Sequence, residues 1–163
     1  MSHEAHVHAA LAGDGNLLVC ANPSCGLLLS TDVEICDECG GTQLIRLGSL
    51  QAMLCGWVDD RQVVFALAPE RPNVIGRRPD SPPPDIDLGR MTGSNKVHRR
   101  HACVEYDGET WRVARLGKNP VIVRGLDAVA LELNARAPLT HGDTLDISGI
   151  RLTFVLRTGR DSR

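Results

Sequence analysis

Aromatic side chains are scarce in this sequence: two Trp, one Tyr and two Phe make up 3% of its 163 residues. That is too few for a platform on which single-stranded nucleic acid stacks its bases. An excess of positive charge is missing too. Eighteen Lys and Arg stand against 20 Asp and Glu, for a net charge of −2, so the chain as a whole has no basic footprint for DNA or RNA. No apolar run reaches the roughly 18 residues that suggest a membrane-crossing helix. The first residues, "MSHEAHVHAALAGDGN", show no basic start followed by an apolar core. No secretory leader is therefore expected, and a cytoplasmic, reducing setting is. Paired carboxylates, a nucleophile beside a base and an open metal position are also lacking, so an enzyme is not expected.

What is there is ordinary globular material, 42% hydrophobic and 23% charged, long enough for one domain or two small ones. Residues 1–14 read as a disordered tail. His3, His6 and His8 sit in it, but a loose segment must first be ordered to grip a metal.

Residues 15–48 contain Cys20-x4-Cys25, ten intervening residues, and Cys36-x2-Cys39. A segment this small rarely holds itself together by apolar burial and needs a staple. Each cysteine pair can form a tight knuckle, and four thiolates close a tetrahedron around Zn²⁺ with bonds of about 2.3 Å. Gly26 and Gly40 follow the second cysteine of each pair, where a glycine lets backbone amides turn toward the sulfurs. The pattern resembles a zinc ribbon and implies one structural zinc per chain held by Cys20, Cys25, Cys36 and Cys39. An iron–sulfur centre or a redox pair are the competing readings; no redox partner motif lies nearby. The ribbon carries Asp32, Glu34, Asp37 and Glu38 and ends at Arg46, an acidity that opposes phosphate-backbone binding and favours a protein contact or a spacer role. Cys55 and Cys103 lie in apolar or alternating stretches and read as inert core thiols.

Residues 49–61, including "SLQAMLCGWVDD", have near-helical apolar spacing over a short span and read as a connector. From "QVVFALA" onward, short strand-like runs follow one another: "NVIGRR", "DIDL", "HACVEY", "TWRVARL", "VIVRG", "VALELN", "DTLDI" and "RLTFVL". Asp107-Gly108 is a hairpin signal, and "RRPDSPPPD", with four prolines, must be a loop. Regular short strands of this kind predict an all-β sandwich or barrel. The last residues, 159–163, read as a second disordered tail.

Within these strands, five pieces stand in a recognisable order: Gly76-Arg77, Pro84-Asp85-Ile86-Asp87-Leu88, Arg99-Arg100-His101-Ala102, Lys118-Asn119 with Val123 and Gly125, and Gly142-Asp143. Together they resemble a forkhead-associated (FHA) domain, assigned here to residues 62–158. The resemblance implies a β-sandwich of about eleven strands that recognises phosphothreonine in a partner protein through loops at one end. By position it implies phosphate contacts from Arg77 and Arg99, a polar or basic contact from Lys118, and a hydrogen bond from Asn119 to the peptide backbone. It makes His101 a brace and Gly76 the residue that permits a tight turn. The sequence departs from the family pattern at His98, where the family has a phosphate-binding serine. It departs again before Lys118-Asn119, where a serine is either missing or replaced by Gly117, and at Pro120 and Arg124. His98 can donate to a phosphate or fill the pocket. The two functional readings are a phosphothreonine-binding module and a degenerate FHA domain that binds unphosphorylated protein or acts as a scaffold.

Overall fold

The computed structural model describes residues 15–78 and 83–157. The tails assigned to 1–14 and 159–163, with residue 158, and positions 79–82 of the proline-rich loop lie outside the described residues. No helix among the described residues is long and apolar enough to cross a membrane. Regular structure is β throughout, with two 3-10 turns at Leu47–Ser49 and Ser94–Lys96.

The cysteine segment folds as a three-stranded antiparallel sheet of β1 (Leu18–Cys20), β2 (Leu28–Leu29) and β3 (Leu44–Arg46), with β1 in the middle. The rest forms eleven strands in two sheets. They are β4 (Ala52–Val58), β5 (Arg61–Ala66), β6 (Asn73–Gly76), β7 (Ile86–Asp87), β8 (Ala102–Tyr106), β9 (Trp111–Arg115), β10 (Val121–Arg124), β11 (Ala128–Ala130), β12 (Arg136–Leu139), β13 (Thr144–Ile147) and β14 (Ile150–Leu156). One sheet runs β11-β10-β13-β14-β4-β5 and the other β12-β9-β8-β6-β7. The expected all-β sandwich is the observed fold.

Alternation places the core. Val104, Trp111 and Val113 from one sheet and Leu54, Leu145, Ile147, Leu152 and Phe154 from the other are buried in one apolar cluster. Trp111 of this core packs against Phe154 with ring centroids 6.2 Å apart and against Tyr106 at 5.3 Å. Such tilted pairs suit the ring quadrupoles. Asp107 turns the β8–β9 hairpin as expected, its carboxylate accepting the Glu109 and Thr110 N–H groups.

The expected connector at 49–61 is instead mostly strand. β4 pairs with β14 on one side and β5 on the other, so the sandwich begins at Ala52. Burial on both faces explains the misreading. Ala52 and Leu54 point into the main core. Met53 and Cys55 point the other way, into a second cluster with Val64, Val155, Val19 and Leu47, flanked by Leu17, Leu28 and Ile45. The cysteine segment thus covers the outer face of the sheet at β4, β5 and β14, and a strand covered on both faces loses its alternation.

Candidate functional site

The single parallel pairing among the described residues, β6 with β7, prepares the first site. Parallel neighbours cannot be joined by a tight hairpin. The chain therefore leaves β6 at Gly76 through a long loop, re-enters at Ile86, and leaves β7 through a second long loop, 88–101. A third loop, 116–120, joins β9 to β10. These three loops meet.

Gly76 is where the first two touch. A Cβ at this position would lie 1.8 Å from the carbonyl oxygen of Arg99 and 3.0 Å from that of His98, so only glycine lets the backbones approach. The Arg77 N–H donates to the His98 carbonyl at 3.2 Å, and its Nε donates to the Val97 carbonyl at 3.2 Å. Arg77 is half-buried with its guanidinium tethered at Nε.

His101, fully buried, ties the second loop to the third. Its Nδ1 accepts the His98 N–H at 3.1 Å, and its Nε2 lies 3.1 Å and 3.2 Å from the Asn119 and Pro120 carbonyls. Carbonyls only accept, so Nε2 carries the proton. Burial pushes the His101 pKa below its ordinary value, with the His98 and Arg115 charges acting in the same direction and the two carbonyls opposing. The Leu116 and Gly117 N–H groups return to the His101 carbonyl at 2.9 Å and 3.2 Å. Asn119 Nδ2 donates to the Lys96 carbonyl at 2.7 Å, a second tie between the same loops.

The His98 ring sits between the second loop and the third. It lies 5.5 Å from the His101 ring and covers Gly117: a Cβ at 117 would sit 2.6 Å from His98 Cδ2. The missing side chain of Gly117 makes room for the imidazole. His98 Nε2 is buried and has no hydrogen-bond partner among the described residues. The ring fills the slot between loops and turns Nε2 inward.

All five residues singled out, Arg77, His98, Arg99, Lys118 and Asn119, therefore lie on loops that meet at one end of the sandwich. Arg99 and Lys118 are exposed there, beside Lys96 and Arg100. No carboxylate occurs in residues 88–104 or 110–126, although the chain is net negative. Arg115 was not singled out, yet it shapes the third loop. Its Nε donates to the Gly117 carbonyl and Nη1 to the Leu131 carbonyl, both at 2.9 Å, and Nη2 donates to the Lys118 carbonyl. It alternates like any strand residue, and nothing in its spacing marks that task.

The cysteines form the second site. The Sγ atoms of Cys20, Cys25, Cys36 and Cys39 all lie within 4.8 Å of one another. Cys20 and Cys39 are 3.5 Å apart and Cys25 and Cys36 3.7 Å. A tetrahedron with 2.3 Å bonds has edges of about 3.8 Å, so the cluster is compatible with a metal site. Both knuckles need left-handed glycines, Gly26 at φ +67° and Gly40 at φ +75°. The Gly41 N–H points at Cys39 Sγ at 3.4 Å, and a Cβ at Gly41 would crowd that sulfur at 3.2 Å. All six cysteines are free thiols. Cys55 lies in the second apolar cluster, and burial pushes its thiol up to about 12.

The cysteine segment is docked. Val64 N–H donates to the Gly26 carbonyl at 2.7 Å, and Leu27 bridges to Val63. Asp37 pairs with Arg61 at 2.9 Å and Glu38 with Arg90 at 3.1 Å. Two of the acidic residues that argued against nucleic acid thus face cations of the sandwich.

Residues 73–148 match the FHA domain family. This chain carries an FHA domain. Solved FHA domains share the architecture. That of the Chlamydia trachomatis CT664 protein is 20% identical over 66% of this chain and 97% of that one, with a TM-score of 0.52. One solved in a study of phosphothreonine-dependent FHA domain interactions is also 20% identical, over 66% and 98%, with a TM-score of 0.51. The FHA domain of human APLF, in complex with an XRCC1 bisphospho peptide, is 25% identical over 64% and 97%, with a TM-score of 0.49. No curated protein matches the sequence significantly. The family match begins after the cysteine segment, so the four-cysteine cluster stands outside it.

Proposed function

We propose that this protein is a phosphothreonine-dependent protein-binding module in which Arg77, Arg99, Lys118 and Asn119 receive the ligand. The observation that carries the reading is the meeting of these residues on three mutually braced loops, the second and third of which hold cations and no carboxylate. A phosphothreonine brings about two negative charges and three acceptor oxygens, and arginines beside a rigid sheet meet that chemistry with charge-assisted bonds. Tethering of Arg77 at Nε and bracing of the loops by His101 reduce the ordering that binding would require. His98 acts as a filler. Its ring takes the volume of the family's hydroxyl side chains, and the phosphate is held by cations rather than hydroxyls.

The four cysteines hold one zinc in this reading. Four thiolates saturate the ion and leave no position for a water, so the metal is structural and the protein is a binder rather than an enzyme. Free thiols and a thiolate metal site suit the reducing cytoplasm. The partner is a protein carrying phosphothreonine, not nucleic acid and not a membrane.

One observation favours a second reading, an FHA domain that binds unphosphorylated protein: His98 and Gly117 replace both hydroxyl-bearing residues, and His98 Nε2 faces inward. A phosphothreonine peptide library and its unphosphorylated twin, presented to the wild type and to Arg77→Ala, decide between the two. Selective capture that Arg77→Ala abolishes supports the first; equal capture from both libraries supports the second.

A further inference from the structure

The segment Asp87–Arg90 touches both sites. Asp87 is buried, with 7% of its surface exposed, and neither carboxylate oxygen is idle. Oδ2 accepts the Ser24 hydroxyl at 2.7 Å. Oδ1 accepts the Gly89 N–H at 2.9 Å and the Arg78 N–H at 3.3 Å. The Asp87 N–H itself donates to the Pro23 carbonyl at 3.0 Å. Pro23 and Ser24 lie inside the Cys20-x4-Cys25 knuckle. Arg78 follows Arg77, and Gly89 begins the loop that carries His98 and Arg99. Arg90 adds a second link: Nη2 lies 3.1 Å from Glu38 of the other knuckle, and Nη1 donates to the Ser24 carbonyl at 3.5 Å.

We infer that Asp87 is a positioning residue that couples the metal knuckles to the phosphopeptide loops, so that metal occupancy sets how well those loops are held. Residues 21–24 lie between two metal ligands; within the turn Asn22 accepts the Ser24 N–H at its side chain and the Cys25 and Gly26 N–H groups at its carbonyl. Without the ion, four sulfurs at these distances lose what draws them together, and the knuckle is held by its turn hydrogen bonds alone. A knuckle that opens withdraws the Ser24 hydroxyl and the Pro23 carbonyl from Asp87. A buried carboxylate left short of donors must turn toward water or find new ones. Either movement drags on Arg78 N–H and Gly89 N–H, which lie near the start of the loops that carry Arg77 and Arg99. The consequence for ligand affinity rests on the phosphothreonine reading; the coupling of the loops to the metal does not.

The test uses the full chain in zinc-loaded and chelator-stripped forms, with hydrogen exchange read at individual amides and retention measured on a phosphothreonine peptide library. Stripping zinc from the wild type should speed exchange at Arg78 and Gly89 and weaken library retention, each by about tenfold, a size typical of coupled sites. Ser24→Ala removes the donor without touching a ligand residue. Its zinc-loaded form should keep one zinc per chain yet show faster exchange at Gly89 and Arg78 and weaker retention. Asp87→Asn should do the same, and Ser24→Thr, which restores the hydroxyl, should rescue both. If zinc removal unfolds the chain, the zinc-loaded Ser24→Ala and Ser24→Thr forms decide alone. Unchanged exchange at Arg78 and Gly89 in zinc-loaded Ser24→Ala overturns the coupling. Faster exchange there, with no phosphopeptide retained even by the wild type, supports the coupling and sinks the phosphothreonine reading.

Discussion

Replacing Gly117 with serine restores the side chain type the family carries in that loop, and in this protein it should be harmful. The new Cβ would sit 2.6 Å from His98 Cδ2, 3.2 Å from Cγ and 3.3 Å from Cβ. Gly117 is not in the left-handed region, so the cost is steric rather than conformational. Forcing extra atoms into a packed site costs about 1–3 kcal/mol. The His98 ring would have to swing outward to relieve it. Replacing His98 with serine removes the obstacle, and it also removes a buried ring nitrogen that has no partner among the described residues, a group whose burial costs about 1–3 kcal/mol when unsatisfied. His98→Ser alone should therefore be mild, Gly117→Ser alone should be clearly destabilising, and the double variant should be more stable than Gly117→Ser. Residues in contact show couplings of about 0.5–3 kcal/mol, well above the scatter of a good measurement. Urea denaturation of the four zinc-loaded proteins, with m-values compared, reads the coupling directly. The double variant also regains two hydroxyls at the candidate phosphate site and should bind phosphothreonine peptides more tightly than the wild type. A strictly additive cycle would refute the claim that the imidazole occupies the space of the loop side chain.

Three further outcomes follow from the geometry. Gly76→Ala places a Cβ 1.8 Å from the Arg99 carbonyl, a backbone atom that no rotamer change can move. The loss should reach or exceed about 3 kcal/mol by denaturant titration, the upper end for overpacking; a near-neutral result would mean the loops do not meet there. His101 is held neutral by burial, so its folded pKa lies below its unfolded value of about 6.5. Its contribution is complete above that pH and is lost as pH falls through the lower folded value. Thermal melts from pH 7.5 to 5 should fall more steeply for the wild type than for His101→Gln, and parallel profiles would contradict the assignment. Metal analysis should return one zinc per chain, with Cys36→Ser losing the metal and a large part of the stability; iron, or no metal in a folded protein, would overturn the four-thiolate site.

The fold was largely legible because most strands cover the core with one face only. β8 and β9, with the Asp107–Gly108 turn between them, show apolar and polar residues in alternation and a turn of fixed type. β4 was not legible, because the cysteine segment covers its second face through Met53 and Cys55, and burial on two sides erases the period. β12 was missed because Pro138 breaks a strand pattern. Proline is tolerated there only because β12 is an edge. The candidate phosphate-site residues could be picked by motif, but what holds them could not. The His98–Gly117 packing, the Arg115 fork and the Asp87 link are contacts between residues apart in sequence, which no local pattern reveals. The docking of the cysteine segment was invisible for the same reason: Ser24 and Asp87 are 63 positions apart.

The central claim is that the cationic loop end of this FHA domain binds phosphothreonine. The most direct measurement is capture from paired phosphothreonine and unphosphorylated peptide libraries by the zinc-loaded wild type and by Arg77→Ala. The account predicts capture only from the phosphorylated library and its loss in Arg77→Ala. Equal capture from both libraries, or phospho-selective capture that survives Arg77→Ala, would contradict it.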